Sequence, residues 1–132
     1  MENLKSFEEL NCWKEAVLLR TEIRILIDTF PKQEDYRLKD QMIRCLRSVT
    51  NNIAEGYGRF NYQENIQFCR ISRGSLYEII DHLIIATEEN YITETELAKR
   101  KEQINKCLAI LNGYINYLKK VKDAGGSKTF NK

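Results

Sequence analysis

A single proline, Pro31, and six glycines are spread over 132 residues. That scarcity of turn formers argues against a sandwich or barrel of many short strands, and an apolar content of 42% argues against a disordered chain. An excess of one charge sign is lacking too: 21 Lys and Arg against 19 Asp and Glu leave a formal net charge of +2. Bulk electrostatics therefore give no reason to expect nucleic-acid binding, and such binding needs a local patch. No apolar run approaches the roughly 20 residues of a membrane span, and the polar start Met1-Glu2-Asn3 is unlike a signal peptide. The expected location is the cytoplasm, with no membrane partner.

Recognisable sites of chemistry are also missing. Cys12, Cys45, Cys69 and Cys107 form no C-x-x-C pair, so they supply no zinc framework. Cys12, Cys69 and Cys107 sit on or beside apolar helical stripes, where a cysteine acts as a small buried hydrophobe in a reducing compartment. His82 is the one histidine and has no second ligand at usable spacing. A ferritin-like di-iron bundle needs Glu-x-x-His, and Ile79 occupies the glutamate position. Ser72 and Ser75 have no assignable base, and Gly56-x-Gly58 alone is not a phosphate loop. No catalytic residue, metal site or cofactor is assigned, and an enzyme is the least supported class.

What is present is helical periodicity. The chain is organised around Asn51-Asn52-Ile53-Ala54-Glu55-Gly56-Tyr57-Gly58-Arg59, read as the end of one amphipathic helix and the launch of the next. Upstream, Leu38, Met42, Leu46, Val49 and Ile53 recur at steps of four and three on one helical face. Gly56 and Gly58 suit a left-handed helix end. Asn61-Tyr62-Gln63-Glu64 has the spacing of a capping box.

Two cap candidates, Ser6 and Asn11, leave the start of the first helix open. Its seam is Cys12, Ala16, Leu19, Ile23, Leu26 and Phe30, and Pro31 ends it. Gln33-Glu34-Asp35 brings carboxylates to the positive end of a second helix expected from about Glu34 to Tyr57. The third carries Phe68, Ser72, Ser75, Leu76, Ile79, Ile80, Leu83 and Thr87. Its Gly74 costs about 1 kcal/mol relative to alanine, which suggests a packing role. Thr93-Glu94-Thr95-Glu96 opens the fourth, with Leu97, Lys101, Ile104, Leu108, Leu111, Ile115 and Leu118 as its seam. The fold class is all-α: an antiparallel up-down-up-down four-helix bundle over residues 1–122, with a flexible tail over 123–132. Leu46, Val49, Ile53, Leu76, Leu83, Leu108, Leu111 and Ile115 are the expected core.

Arginines recur in pairs on shared faces: Arg20 with Arg24, Arg44 with Arg47, and Arg70 with Arg73, while Arg59 sits in the hairpin turn. Guanidinium groups suit forked contacts with phosphate. Composition alone favours the plainer account, a solvated surface or ion pairs to Glu15, Glu22, Glu55 and Glu78. Seven tyrosines either cover an interface or fill partly exposed core edges.

Four segments together resemble a known family. They are Phe7-x-x-Leu10-x-x-Trp13-Lys14-x-Ala16; Phe30-Pro31-x-x-Glu34-x-Tyr36-x-Leu38-x-x-Gln41; Arg44-x-x-Arg47-Ser48-Val49-x-x-Asn52-Ile53-Ala54-Glu55-Gly56-x-Gly58-Arg59; and Phe68-x-x-Ile71-Ser72-x-Gly74-Ser75-x-x-Glu78. The pattern is similar to the four-helix-bundle proteins encoded in intervening sequences of bacterial 23S ribosomal RNA genes. That family also contains the accessory variability determinant of diversity-generating retroelements. The resemblance covers about Phe7 to Leu118. Cys45 and Leu46 depart from the smaller residues usual after the first arginine.

The resemblance implies a non-enzymatic bundle, a ring-forming homo-oligomer with a pentamer favoured, and RNA or DNA or a protein such as a reverse transcriptase as partner. It raises the standing of Arg44, Arg47 and Arg59, which belong to the matched stretch. Asn52, Glu55, Gly56 and Gly58 are its structural motif, with Asn52 and Glu55 expected in a polar network locking the hairpin. Two function classes stand: a nucleic-acid-binding accessory protein with an arginine patch, and a structural or protein-interaction module with solvated arginines.

Overall fold

The structure is a computed structural model and describes residues 5–125. Four helices carry the chain: α1 (Asn11–Ile27), α2 (Leu38–Gly58), α3 (Tyr62–Glu88) and α4 (Glu94–Asp123). Each packs against two neighbours in the cyclic order α1, α2, α3, α4, and the backbones of diagonal helices do not approach closely among the described residues. Short connections at 59–61 and 89–93 force adjacent helices to run antiparallel. The all-α four-helix bundle is as expected, and all eight named core residues are buried. The tail beyond residue 125 lies outside the described residues.

Side chains set the helix starts. Asn61 accepts a hydrogen bond from the Glu64 N–H at 3.0 Å, and Thr93 accepts from the Glu96 N–H at 3.1 Å, so α3 and α4 begin at their sequence signals. Ser6 caps only a short 3-10 turn, Phe7–Glu9, and Leu10 precedes α1 without a side-chain cap. Helix α1 begins at Asn11, but neither Ser6 nor Asn11 caps it with its side chain. The α1 seam also ends differently from the expectation: Ile27 is fully buried and Leu26 only half-buried. A true helical period of 3.6 drifts against a strict four-three repeat.

Helix α2 starts at Leu38 and not near Glu34. Lys32–Glu34 forms a 3-10 turn, and Arg37, at φ −124° and ψ −105°, separates it from the helix. The Glu34 carboxylate instead accepts the Leu38 N–H at 3.3 Å and the Tyr91 hydroxyl at 2.6 Å, tying the α1–α2 connection to the α3–α4 turn.

The hairpin between α2 and α3 revises the roles of its glycines. Helix α2 continues through Gly56 to Gly58, and Phe60 takes the left-handed conformation at φ 53°. Gly56 serves close approach: a Cβ there would lie 2.6 Å from Asn65 Oδ1 and 2.9 Å from Phe68 Cβ. Gly74 is exposed and meets nothing within 4 Å, so it has no packing role within the chain. Ser72 and Ser75 do the close packing. Ser72 donates to the Val49 carbonyl at 2.8 Å, Ser75 and Ser48 share a hydroxyl bond of 2.9 Å, and the Cys45 thiol donates to the Ser75 carbonyl at 3.1 Å. Cys45, Ser48, Asn52 and Gly56 thus form a small-residue seam that lets α3 lie close against α2.

Candidate nucleic-acid interface

Charge on α1 is segregated by direction. Its carboxylates turn toward α4: Glu15 meets Lys106 at 3.7 Å, and Glu22 accepts from Gln103 at 2.7 Å and lies 3.6 Å from Arg100. Its arginines turn toward α2. Arg20 and Arg24, one turn apart on α1, and Arg47 of α2 line a single groove between the two helices. Thr21, Ile25, Ile43 and Leu46 complete its lining, no carboxylate is among them, and its volume is about 380 Å³.

The groove's guanidiniums are held to different degrees. Arg20 donates to the hydroxyl of buried Thr50 at 2.7 Å, and that hydroxyl donates to the Arg47 carbonyl at 3.2 Å. This neutral partner fixes the Arg20 head and leaves its charge uncompensated. Arg24 lies 3.5 Å from Asp28 with both side chains largely exposed, a weak pair in water. The Arg47 guanidinium has no protein partner among the described residues.

The other candidate arginines stand apart from the groove. Arg44 is 78% exposed on α2 and pairs with Asp40 at 3.0 Å. Arg59 meets Glu55 at 3.1 Å and Glu64 at 3.7 Å and lies over the Phe68 ring at 5.1 Å. Two carboxylates beside one guanidinium leave little positive field there, and the cluster closes the hairpin. Arg73 donates to Asn112 of α4 at 2.9 Å, and Arg70 is exposed. Of the four glutamates expected to neutralise these seven arginines, only Glu55 does so. Glu15 and Glu22 serve α4, and Glu78 lies 3.2 Å from His82.

The expected polar network is two networks. Glu55 belongs to the Arg59 cluster. Asn52 donates to the Ser48 carbonyl at 2.8 Å and to its hydroxyl at 3.0 Å, within the α2–α3 seam. Gly58 lines a separate surface depression with Asn51, Ala54 and Glu55. The buried polar residue missed by sequence reading is Asn65. It donates to the Tyr114 hydroxyl at 3.0 Å and accepts from Cys69 at 3.5 Å. Burial pushes the Tyr114 hydroxyl well above its ordinary pKa. Thr50, which anchors Arg20, was also missed. Both occupy apolar-face positions, and a polar residue on a core stripe is the signal that would have found them.

The cysteines are placed as packing residues. All four cysteines are free and buried. Burial pushes the thiols of Cys12, Cys45 and Cys107 up to about 12 and raises that of Cys69 as well, the reverse of an activated nucleophile. No cluster of His, Cys, Asp and Glu suited to a metal ion occurs among the described residues. No helix among them is long and apolar enough to cross a membrane.

Fold and groove together define a class: a small four-helix bundle with an arginine-lined groove between its first two helices. Comparison with known proteins narrows the class to one family. The chain belongs to the 23S rRNA-intervening sequence proteins, whose family pattern matches residues 8–113. No curated protein matches it.

Proposed function

We propose that this protein is a non-enzymatic nucleic-acid-binding accessory protein of the cytoplasm that works as a homo-oligomer and contacts phosphates through the arginines of the α1–α2 groove. One observation carries the reading: Arg20, Arg24 and Arg47 converge on a groove that no carboxylate lines. A ring repeats that groove in every subunit, so a chain of net charge +2 still presents several positive grooves in one assembly. A pentamer is the stoichiometry proposed, on the family resemblance. Four unpaired buried thiols are consistent with a reducing compartment.

The test is a titration of labelled duplex and single-stranded nucleic acid at two salt concentrations, with light scattering for the oligomer mass. Phosphate contacts release counterions, so binding is expected to be indifferent to sequence and to weaken steeply with salt. Arg47→Gln and Arg24→Gln are expected to weaken binding and each to reduce the salt slope by about one. Arg59→Gln, already neutralised by two carboxylates, is expected to change it less. Absence of binding at low salt by folded wild type refutes the reading, and a monomer mass at micromolar concentration refutes the ring.

A second reading, a protein-interaction module, has its own observation. Leu18 and Ile25 on α1 are 50% and 67% exposed, and Ile71 and Tyr77 on α3 are 53% and 59% exposed. Apolar surface of this kind suits another copy of the chain or a partner such as a reverse transcriptase. Loss of oligomer or partner with nucleic-acid binding absent throughout favours this module.

A further inference from the structure

The α1–α2 groove is not only a cluster of charge. Its floor is aliphatic, with Ile43 and Leu46 from α2, and Ile25 stands at its edge with two thirds of its surface in water. Phosphate gives such surface nothing to pack against. A duplex keeps its base faces stacked inside and shows a protein its phosphates, sugars and groove edges. Against a duplex, Ile25 and Ile43 would meet sugars and groove edges but no open base face. An unpaired strand differs, because each base can swing out and offer an apolar face to aliphatic side chains and guanidinium planes. The groove volume of about 380 Å³ falls within the roughly 300–1,000 Å³ of sites that hold one small ligand. Arg20 is fixed in advance by Thr50, so one cation at the rim costs little further ordering on binding.

Building on the nucleic-acid reading above, we propose that the α1–α2 groove takes one unpaired nucleotide of a single strand, its phosphate among Arg20, Arg24 and Arg47 and its base against Ile25 and Ile43. The ligand class is therefore single-stranded nucleic acid, and charge and apolar surface play separable parts. The arginines attract any polyanion, whereas Ile25 distinguishes an open strand from a paired one.

The experiment compares a short unstructured oligonucleotide with the same strand annealed to its complement, at one salt concentration, by fluorescence anisotropy. Wild type, Ile25→Ser, Ile25→Lys and Arg47→Gln are each checked for fold by circular dichroism. Ile25 is largely exposed, so its variants are expected to fold. The single strand is expected to bind more tightly than the duplex. Ile25→Ser is expected to weaken single-strand binding about five- to tenfold, the size of a partly buried aliphatic contact, and to leave duplex binding unchanged. Arg47→Gln is expected to weaken both. Ile25→Lys is the sharpest arm: a groove that only counts charge would bind every nucleic acid more tightly, whereas a base pocket loses its preference for the open strand. Equal affinity for duplex and single strand, or indifference to Ile25→Ser while Arg47→Gln still weakens binding, overturns this proposal and leaves the phosphate-binding reading intact. No binding of either form at low salt overturns both, and an acidic peptide bound in an Ile25-dependent way would then assign the groove to a protein partner.

Discussion

Replacing Gly56 with alanine sets two effects of known sign against each other. In an open helix interior, glycine to alanine stabilises by about 1 kcal/mol, because alanine loses less backbone entropy. Gly56 is buried on α2, and the new Cβ would lie 2.6 Å from Asn65 Oδ1, 2.9 Å from Phe68 Cβ and 3.2 Å from the Asn65 carbonyl oxygen. None of these yields easily. The Asn65 amide is fully buried and held by the Tyr114 hydroxyl, and Phe68 Cβ moves only with the α3 backbone. Relief therefore requires α2 and α3 to part by several tenths of an ångström along a seam of short hydrogen bonds. Overpacking of this kind costs about 1–3 kcal/mol, and weakening the Asn65–Tyr114 bond adds about 1 kcal/mol. Offset by the helix preference, Gly56→Ala is expected to destabilise by about 1–3 kcal/mol. With a urea m value of about 1–3 kcal/mol/M, the midpoint falls by about 1 M. Gly74→Ala provides the control, since that glycine is helical, exposed and faces open space. It is expected to raise stability by up to about 1 kcal/mol. Both are read from urea unfolding followed by dichroism, at one protein concentration because an oligomer's midpoint depends on it. A Gly56→Ala protein as stable as wild type would refute the account of the seam.

Leu108→Ala, at a position 5% exposed in the α4 seam, is expected to cost about 2–5 kcal/mol in the same assay, and a loss under 1 kcal/mol would show a poorly packed core. The four thiols are expected to resist a thiol-specific reagent in the native protein and to react together in denaturant, because all are buried and their thiolates disfavoured; rapid native labelling would contradict their placement. The Tyr91 hydroxyl and the Leu38 N–H hold the Glu34 carboxyl below its ordinary value of 4.5, while Glu34 raises the Tyr91 hydroxyl above 10.0. A depressed carboxyl stabilises the fold above its unfolded pKa, and this is lost as pH falls through the folded value; a raised phenol stabilises below its unfolded pKa, and this is lost as pH rises through the folded value. Tyr91→Phe keeps the ring beside Phe30 and is expected to lower the thermal midpoint at neutral pH, with the gap to wild type closing in acid below the carboxylate range. A gap constant across that range would show that the Glu34–Tyr91 bond contributes nothing.

How much was legible in the chain differs from element to element. Asn61 and Thr93 announce their helices because a capping bond is local: the side chain and the N–H it accepts from lie three residues apart. Pro31 marks the end of the α1 region for an equally local reason. The start of α2 was misplaced because Glu34, read as part of the helix, bonds to Tyr91, which is distant in sequence and adjacent only in the fold. Family membership was legible too, since the spaced motif around Asn52, Glu55 and Gly56 lies within the matched residues.

The sequence by itself determined four amphipathic helices, two of their caps and the residues facing the core, because periodicity and capping act within one or two turns. Only the tertiary structure decided which neighbour each remaining face meets. Periodicity places Arg20, Arg24 and Arg47 on their helices' flanks but does not say that two helices turn those flanks toward one another, while Glu15 and Glu22 turn to α4. It likewise identifies Gly56 as a residue without a side chain but not Asn65 as the group that needs the space. Helix rotation and separation are set by the packing of the whole bundle, so the groove and the seam exist only once all four helices are in place.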